Sequence, residues 1–187
     1  MPVTVKMRAG FDAQHRNAPQ LAKLLEQAGA DMIVVHGRTR AQFYTPGSDN
    51  GVVRAVKEAV SVPVVGNGDL FTADDVAHIL AETGCDGVML ARGVLGNPFL
   101  FAEVTAMLEG KPYVPPTPAE RLATATAQML DMIEKKGARV GMAEARKHLA
   151  WYCRGLHGAG AAREALMRAE GPDAVREIFA ALLRETE

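Results

Sequence analysis

A parallel α/β segment followed by an all-helical segment is the fold class this sequence predicts, and three observations predict it. Up to Leu108, short β-branched runs that end in glycine or polar residues alternate with stretches of helical periodicity. A proline-rich stretch at residues 111–118 then interrupts the chain, and beyond it apolar residues recur only at helical spacing. Strands alternating with helices imply a parallel sheet with right-handed crossovers, and prolines so closely spaced mark a linker. The expected divisions are residues 1–110, the linker 111–118, and a helical domain at 119–187.

Residues 2–7 read as the first strand, with Val3 and Val5 alternating against Thr4 and Lys6. Lys6 lies near its C-terminal end, where a barrel strand presents functional groups. Residues 18–28 read as a helix with an apolar stripe of Leu21, Leu24, Leu25 and Ala28, ended by Gly29. Residues 31–35 form the next strand and stop at His36-Gly37-Arg38-Thr39-Arg40, a polar, cationic loop in which His36 is placed to meet a ligand. Residues 42–51, carrying Phe43 and Tyr44, read as an ordinary surface connection, with a substrate-facing lid as the less supported alternative, and 52–60 as a short helix.

The stretch from Val62 to Gly93 carries the strongest local signal. Two apolar runs, 62–65 and 87–90, stop at Gly66-Asn67-Gly68-Asp69 and at Ala91-Arg92-Gly93. In a (β/α)8 barrel the last two βα loops commonly hold a phosphate. Glycines permit close backbone approach, the following helix offers N–H groups, and Arg92 supplies fixed positive charge. A helix at 99–108 completes about four strand–helix units, and four units are half of such a barrel. After the linker, Thr117 is placed to cap a helix at 118–136, followed by helices at 138–154, 161–169 and 172–184. Arg139, Arg146, Lys147 and Arg154 share one face of the second of these, either a solvated surface or a contact for a phosphate backbone. Trp151, Tyr152 and Cys153 read as packing residues.

Composition bounds the function. With 187 residues, 48% of them apolar, the chain can bury one good core or two small ones. A net charge of -1 argues against a polyanion-binding surface spread over the whole molecule, while leaving room for a local basic face. Cys85 and Cys153 are too few for a disulfide scaffold, and neither has metal-ligand spacing, so no metal site is expected. No apolar stretch reaches the roughly 18 residues that span a bilayer, and the N-terminus has no leader pattern. The expectation is a cytoplasmic protein.

The ordered set of motifs resembles the tRNA-dihydrouridine synthases. It comprises Lys6-Met7-Arg8, Val35-His36-Gly37-Arg38-Thr39-Arg40, Gly66-Asn67-Gly68-Asp69, Thr83-Gly84-Cys85-Asp86-Gly87, Ala91-Arg92-Gly93 and Gly96-Asn97-Pro98-Phe99. The segment Ala145-Arg146-Lys147-His148-Leu149-Ala150-Trp151-Tyr152 is similar to a helix of the bacterial B-type subgroup, and the resemblance runs from about Pro2 to Arg154. It implies an FMN enzyme that uses NADPH to reduce the C5–C6 bond of uridine in tRNA, built as a (β/α)8 barrel with a helical bundle that helps hold the RNA. Hydride would pass from the flavin to the uracil ring, a proton would be donated to the other carbon, and the target base would leave its stack. By the same resemblance Lys6, His36, Asn67, Gly68, Asp69, Ala91 and Arg92 would bind the cofactor. Arg38 and Arg40 would face the RNA, and Arg139, Arg146 and Lys147 would add phosphate contacts.

One departure bears on activity. The family's proton-donating cysteine stands in an Asn-x-Gly-Cys-Pro motif, which this sequence lacks, and Cys85 precedes a strand at the opposite end of the sheet. No catalytic residue is therefore assigned. The expectation is the second half of the barrel with its helical bundle, a fragment inactive alone, whose open sheet edges a homodimer would cover. The rival readings are a non-catalytic half-barrel dimer, an RNA-binding module, or another FMN- or phosphate-binding barrel oxidoreductase.

Overall fold

The computed structural model describes residues 1–45 and 47–186. The expected loop at 42–51 and the helical domain to 187 each reach one residue, Pro46 and Glu187, outside the described residues. The chain divides into two compact units, Met1–Gly93 and Val94–Glu187.

The first unit holds four strands, β1 (Thr4–Arg8), β2 (Met32–His36), β3 (Val64–Asn67) and β4 (Gly87–Met89), all parallel and in the order β1-β2-β3-β4. Helices α1 (Ala18–Gln27), α2 (Asn50–Ala59) and α3 (Ala73–Thr83) connect them. Ile33 and Val35 of β2 are fully buried together with Val53 and Val56 of α2 and Val76 and Ile79 of α3. This is the apolar chemistry that the helix-covered face of a parallel sheet requires. Gly66 shows how tightly α3 seats: a Cβ there would lie 2.8 Å from Ile79 Cδ1.

Polar side chains fix the entry to β3. Glu26 Oε1 accepts from the Ser61 and Val62 amides at 2.7 and 3.0 Å, and Asp86 Oδ2 accepts from Val64 N at 2.7 Å while pairing with Lys57. The α3 helix starts on a capping box of Thr72 and Asp75 and ends at Gly84, whose φ of 65° is the left-handed conformation glycine favours.

Two expectations are corrected in this unit. The leucine stripe of α1 does not face the sheet; Ala18 and Ala22 are buried while Leu24 is 62% exposed. Small alanines let the helix lie close to the strands, which turns the leucines outward. β3 begins two residues later than expected, so Gly66 and Asn67 belong to the strand itself.

The second unit opens with α4 (Leu100–Leu108) and continues through α5 (Pro118–Lys136), α6 (Ala138–Tyr152), α7 (Ala159–Arg168) and α8 (Pro172–Thr186). Its core gathers Leu122, Met129, Leu149, Leu166, Val175 and Phe179. α5 begins on the expected Thr117 cap, closed into a box by Glu120. α6 lies so close to α5 that a Cβ on Gly141 would sit 2.6 Å from Ile133 Cα. The division between units falls ahead of α4 rather than at the proline-rich stretch. The reason lies in packing: Phe99 joins the helical core, and Gly96 abuts the Trp151 backbone. Among the described residues the architecture is thus a parallel α/β unit with three helices and an all-helical unit with five.

Candidate functional site: a cationic cavity at the strand ends

Strand register decides which side chains can meet. Arg8 pairs with His36, His36 with Asn67, and Asn67 with Met89, so these four residues and Lys6 lie on one face of the sheet at its C-terminal end. Met7, Val35 and Gly66 alternate onto the covered face.

A cavity of about 190 Å³ opens here, lined by Arg8, His36, Asn67, Gly68, Asp69, Ala91 and Arg92, and by aromatic rings from Phe43, Tyr44 and Phe71. Six of the seven residues expected to hold a cofactor line it. The seventh, Lys6, reaches it through Asn67: Lys6 Nζ donates to Asn67 Oδ1 at 3.0 Å, and Asn67 Nδ2 donates to Met89 O at 2.7 Å. Burial, then the Arg8 charge, lowers the Lys6 pKa.

Asp69 is the hub of the rim. Its carboxylate takes Arg38 Nη1 and Nη2 at 2.8 and 2.6 Å, Arg92 Nη2 at 2.9 Å, and the Ser48 amide at 3.0 Å. The Arg38 hydrogen bonds are the largest influence holding its carboxyl below the ordinary aspartate range, with the Ser48 amide and both arginine charges adding to them. Arg92 also sits 4.5 Å from the Tyr44 ring centroid and 5.6 Å from that of Phe71, within cation–π range. His36 is pushed down to about 4, first by burial and then by the charges of Arg8, Lys6 and Arg38, so it is a neutral imidazole at pH 7. Two cationic side chains, Arg8 and Arg92, therefore line the cavity against the single lining carboxylate of Asp69, while Lys6 and Arg38 are hydrogen-bonded to its lining residues Asn67 and Asp69.

Backbone approach is equally tight. At Gly68, with φ of 129°, a Cβ would fall 2.2 Å from Ser48 Oγ and 2.8 Å from His36 Cδ2. No side chain fits there. Ser48 Oγ itself is buried without a hydrogen-bond partner among the described residues.

Three expectations change. Arg38 does not face outward; it is 2% exposed and committed to Asp69 and to Tyr44 O at 2.7 Å. The N-terminus of α3 offers fewer N–H groups to an anion than expected, because the Asp75 carboxylate accepts the Phe71 and Thr72 amides and Thr72 Oγ1 accepts that of Asp75. Positive charge at this site comes from arginine side chains instead. Phe43 and Tyr44 belong to the cavity wall rather than to a plain surface connection.

Arg8, Ser48, Tyr44 and Phe71 were not assigned to the site from sequence. Arg8 carries the same strand-end signal as Lys6, two residues on and so on the same face. Ser48 and the aromatic rings leave no comparable trace, since their roles depend on how the loops after β2 and β3 fold back. Arg40 is exposed, stacked 5.4 Å from the Phe11 ring centroid.

In the helical unit Arg139 and Lys147 are exposed, whereas Arg146 turns inward and donates from Nε and Nη2 to Ala169 O at 3.0 and 2.9 Å, at the end of α7. The shared basic face expected on α6 is therefore reduced by one member. Cys85 is buried, with Sγ 3.2 Å from Gly87 O, as a packing residue at the N-terminal end of β4. Among the described residues there is no cluster suited to a metal ion and no helix long and apolar enough to cross a membrane.

The family model for dihydrouridine synthases matches residues 1–187. The chain belongs to the dihydrouridine synthase family. A probable tRNA-dihydrouridine synthase of Rickettsia conorii is 41% identical over 181 residues, covering 96% of this chain and 55% of that protein. The tRNA-dihydrouridine synthase B of Xanthomonas axonopodis pv. citri is 37% identical over 191 residues, covering 98% of this chain and 57% of its own. The chain thus spans about half the length of the curated synthases it matches. Among solved structures, a nitroalkane oxidase from Streptomyces ansochromogenes aligns with all of this chain and 58% of its own, at a TM-score of 0.37 and 19% identity. That likeness is too low to carry an argument about ligand or fold.

Proposed function

We propose that this chain forms the phosphate-binding side of a flavin-dependent tRNA-dihydrouridine synthase, the second half of a (β/α)8 barrel with its helical bundle, which acts on uridine in tRNA. The observation that carries the reading is the pair of arginines, Arg8 and Arg92, that lines with one carboxylate a cavity that Gly68 lets the backbone approach. A cavity of about 190 Å³ is smaller than the roughly 300–1,000 Å³ of sites that enclose a whole ligand. It suits one end of FMN, the phosphate and adjoining hydroxyls, with Arg8 and Arg92 as cationic contacts and Asn67, Gly68 and Ala91 as lining. The fit is chemical as well: Arg92 engages Asp69 through Nη2 and keeps further N–H donors for an anion. FMN, when bound and reduced by NADPH, supplies the hydride that saturates the uracil C5–C6 bond.

The chain's own residues perform the binding and tuning. Lys6, held by Asn67, places an ammonium at the strand ends, where it favours negative charge on a bound ring. His36 stays neutral and donates or accepts one hydrogen bond without adding charge. Arg40, Arg139 and Lys147 are exposed cations suited to RNA phosphates. No group is assigned as the proton donor, and the chain by itself is expected to lack synthase activity.

Titration of the purified chain with FMN and with riboflavin, followed by flavin fluorescence, tests this reading. Saturable FMN binding tighter than riboflavin binding is expected. Equal affinity for the two, or no binding, would overturn it.

A second reading, a homodimer that covers the outer edges of β1 and β4, is favoured by the apolar surface at Val3, Leu21 and Leu24, which are 54%, 36% and 62% exposed. A single monomer boundary in sedimentation velocity would sink it.

A further inference from the structure

By sequence position Asp69 belongs with the cofactor-binding residues, yet a carboxylate is a poor neighbour for a phosphate dianion. We infer that Asp69 is a positioning residue, which holds Arg92, Arg38 and the Ser48 loop in place around the anion and does not touch the anion itself. The inference rests on the flavin reading for its ligand, and on the rim geometry for the rest.

The carboxylate has no acceptor capacity to spare. Oδ1 takes Arg38 Nη1 and Arg92 Nη2, and Oδ2 takes Arg38 Nη2 and the Ser48 amide. An ionised carboxylate offers about four acceptor sites, so these four donors fill it. A ribityl hydroxyl would have to displace one of them.

The backbone supports the same conclusion. Asp69 is the one non-glycine with positive φ, 52°, among the described residues. That conformation is strained for most side chains and is tolerated best by Asn, Asp and Gly. It follows directly on Gly68, whose φ of 129° turns the chain away from β3. The turn aims the carboxylate across the rim at Arg38 and Arg92, which come from the ends of β2 and β4.

Each donor then acts on the cavity. Arg38 is clamped between Asp69 and Tyr44 O, which brings the Tyr44 ring to the cavity. Arg92 is fixed at one nitrogen by Asp69 and across its plane by the Tyr44 and Phe71 rings, so its orientation is set before any ligand arrives. Preorganised donors lose less freedom when they bind. The Ser48 amide ties the returning loop to the same carboxylate.

This role and a bare charge effect predict opposite signs. If Asp69 only added negative charge near the anion, Asp69→Asn would strengthen FMN binding. As a positioning residue, it should weaken FMN binding about tenfold or more, while riboflavin, which lacks the phosphate, should bind within about twofold of wild type. Asp69→Glu separates position from charge, because it keeps the carboxylate but displaces it; it too should lose about tenfold for FMN. Unchanged or tighter FMN binding by Asp69→Asn, wild-type affinity in Asp69→Glu, or parallel losses for FMN and riboflavin would each overturn the inference.

Should the wild-type chain bind no flavin, the flavin reading fails and amide exchange decides the geometry. Ser48 N–H should exchange slowly in the wild type and about tenfold or more faster in Asp69→Asn. Equal exchange rates would overturn the positioning role.

Discussion

Lys6 Nζ donates to Asn67 Oδ1 at 3.0 Å, joining the ends of β1 and β3 across the intervening strand β2. Asn67 is 6% exposed and also donates to Met89 O, so its side chain links three of the four strands. Asn67→Ala removes both bonds and leaves the Met89 carbonyl and the Lys6 ammonium with one partner fewer. The expected cost is about 1–3 kcal/mol of unfolding free energy, read as a lower urea midpoint. Asn67→Asp keeps the acceptor for Lys6 and loses the donor to Met89 O, so its midpoint should fall between the two.

His36 makes stability pH-dependent in a defined window. Its folded pKa of about 4 lies below the ordinary 6.5, so the unfolded chain binds the proton first as pH falls. Stability should therefore be full above about pH 6.5 and decline towards pH 4. Asp69, held below the ordinary 3.8, adds its own loss only at the acid end of that range. His36→Gln should flatten the decline between pH 6.5 and 4.5 in urea midpoints measured across pH. An unchanged slope would contradict the neutral imidazole.

Gly68→Ala should abolish ordered packing at the rim, since its Cβ would overlap Ser48 and the backbone sits at φ 129°. A strained residue of this kind costs roughly 1–3 kcal/mol, before the steric overlap is added. Ser48→Gly removes the overlap with Ser48 but leaves the 2.8 Å approach to His36 Cδ2 and does not relieve the backbone. The double variant Gly68→Ala/Ser48→Gly is thus expected to recover part, and only part, of the thermal midpoint lost in Gly68→Ala.

Two neighbours on α6 should behave differently. Arg146→Ala deletes two hydrogen bonds to Ala169 O and should lower the stability of the helical unit by about 1–2 kcal/mol. Lys147→Ala removes an exposed cation, so stability should stay within about 0.5 kcal/mol. If this face meets RNA, Lys147→Ala should reduce the slope of log affinity against log salt by about 1. Filter binding of tRNA at several salt concentrations reads this directly.

Cys153 is fully buried, and burial pushes its thiol up to about 11. Thiolate is the reactive form, so alkylation at pH 8 should be slow in the native chain and rapid in denaturant. Fast labelling of the native protein would place the thiol outside the helical core.

The strand–helix alternation and the cap at Thr117 were legible because each is a local signal: a period, and a side chain that reaches its own helix. The cluster of Asn67, Gly68, Asp69 and Arg92 was legible for a related reason, since parallel strands deliver their loops to one end. What sequence could not show was pairing between loops. Arg38 looks like a rim cation until Asp69, 31 residues away, takes it inward. Leu21 and Leu24 look like a core stripe until Ala18 and Ala22 occupy the sheet side of α1. The start of α3 looks fully open to an anion until Asp75 and Thr72 take part of its amides for themselves. In each case a second residue competes for the same surface, and only the fold decides between them.

His36, neutral, and Asp69, ionised and saturated with donors, both keep their charge between about pH 5 and 8. Neither can be the source of pH-dependent affinity in that range, whereas the ligand can. A phosphate monoester takes its second negative charge near pH 6, so FMN should be captured more tightly as pH rises through that value, and riboflavin should show no such step. The cationic rim would then work as a fixed electrode against which the incoming phosphate reports its own ionisation.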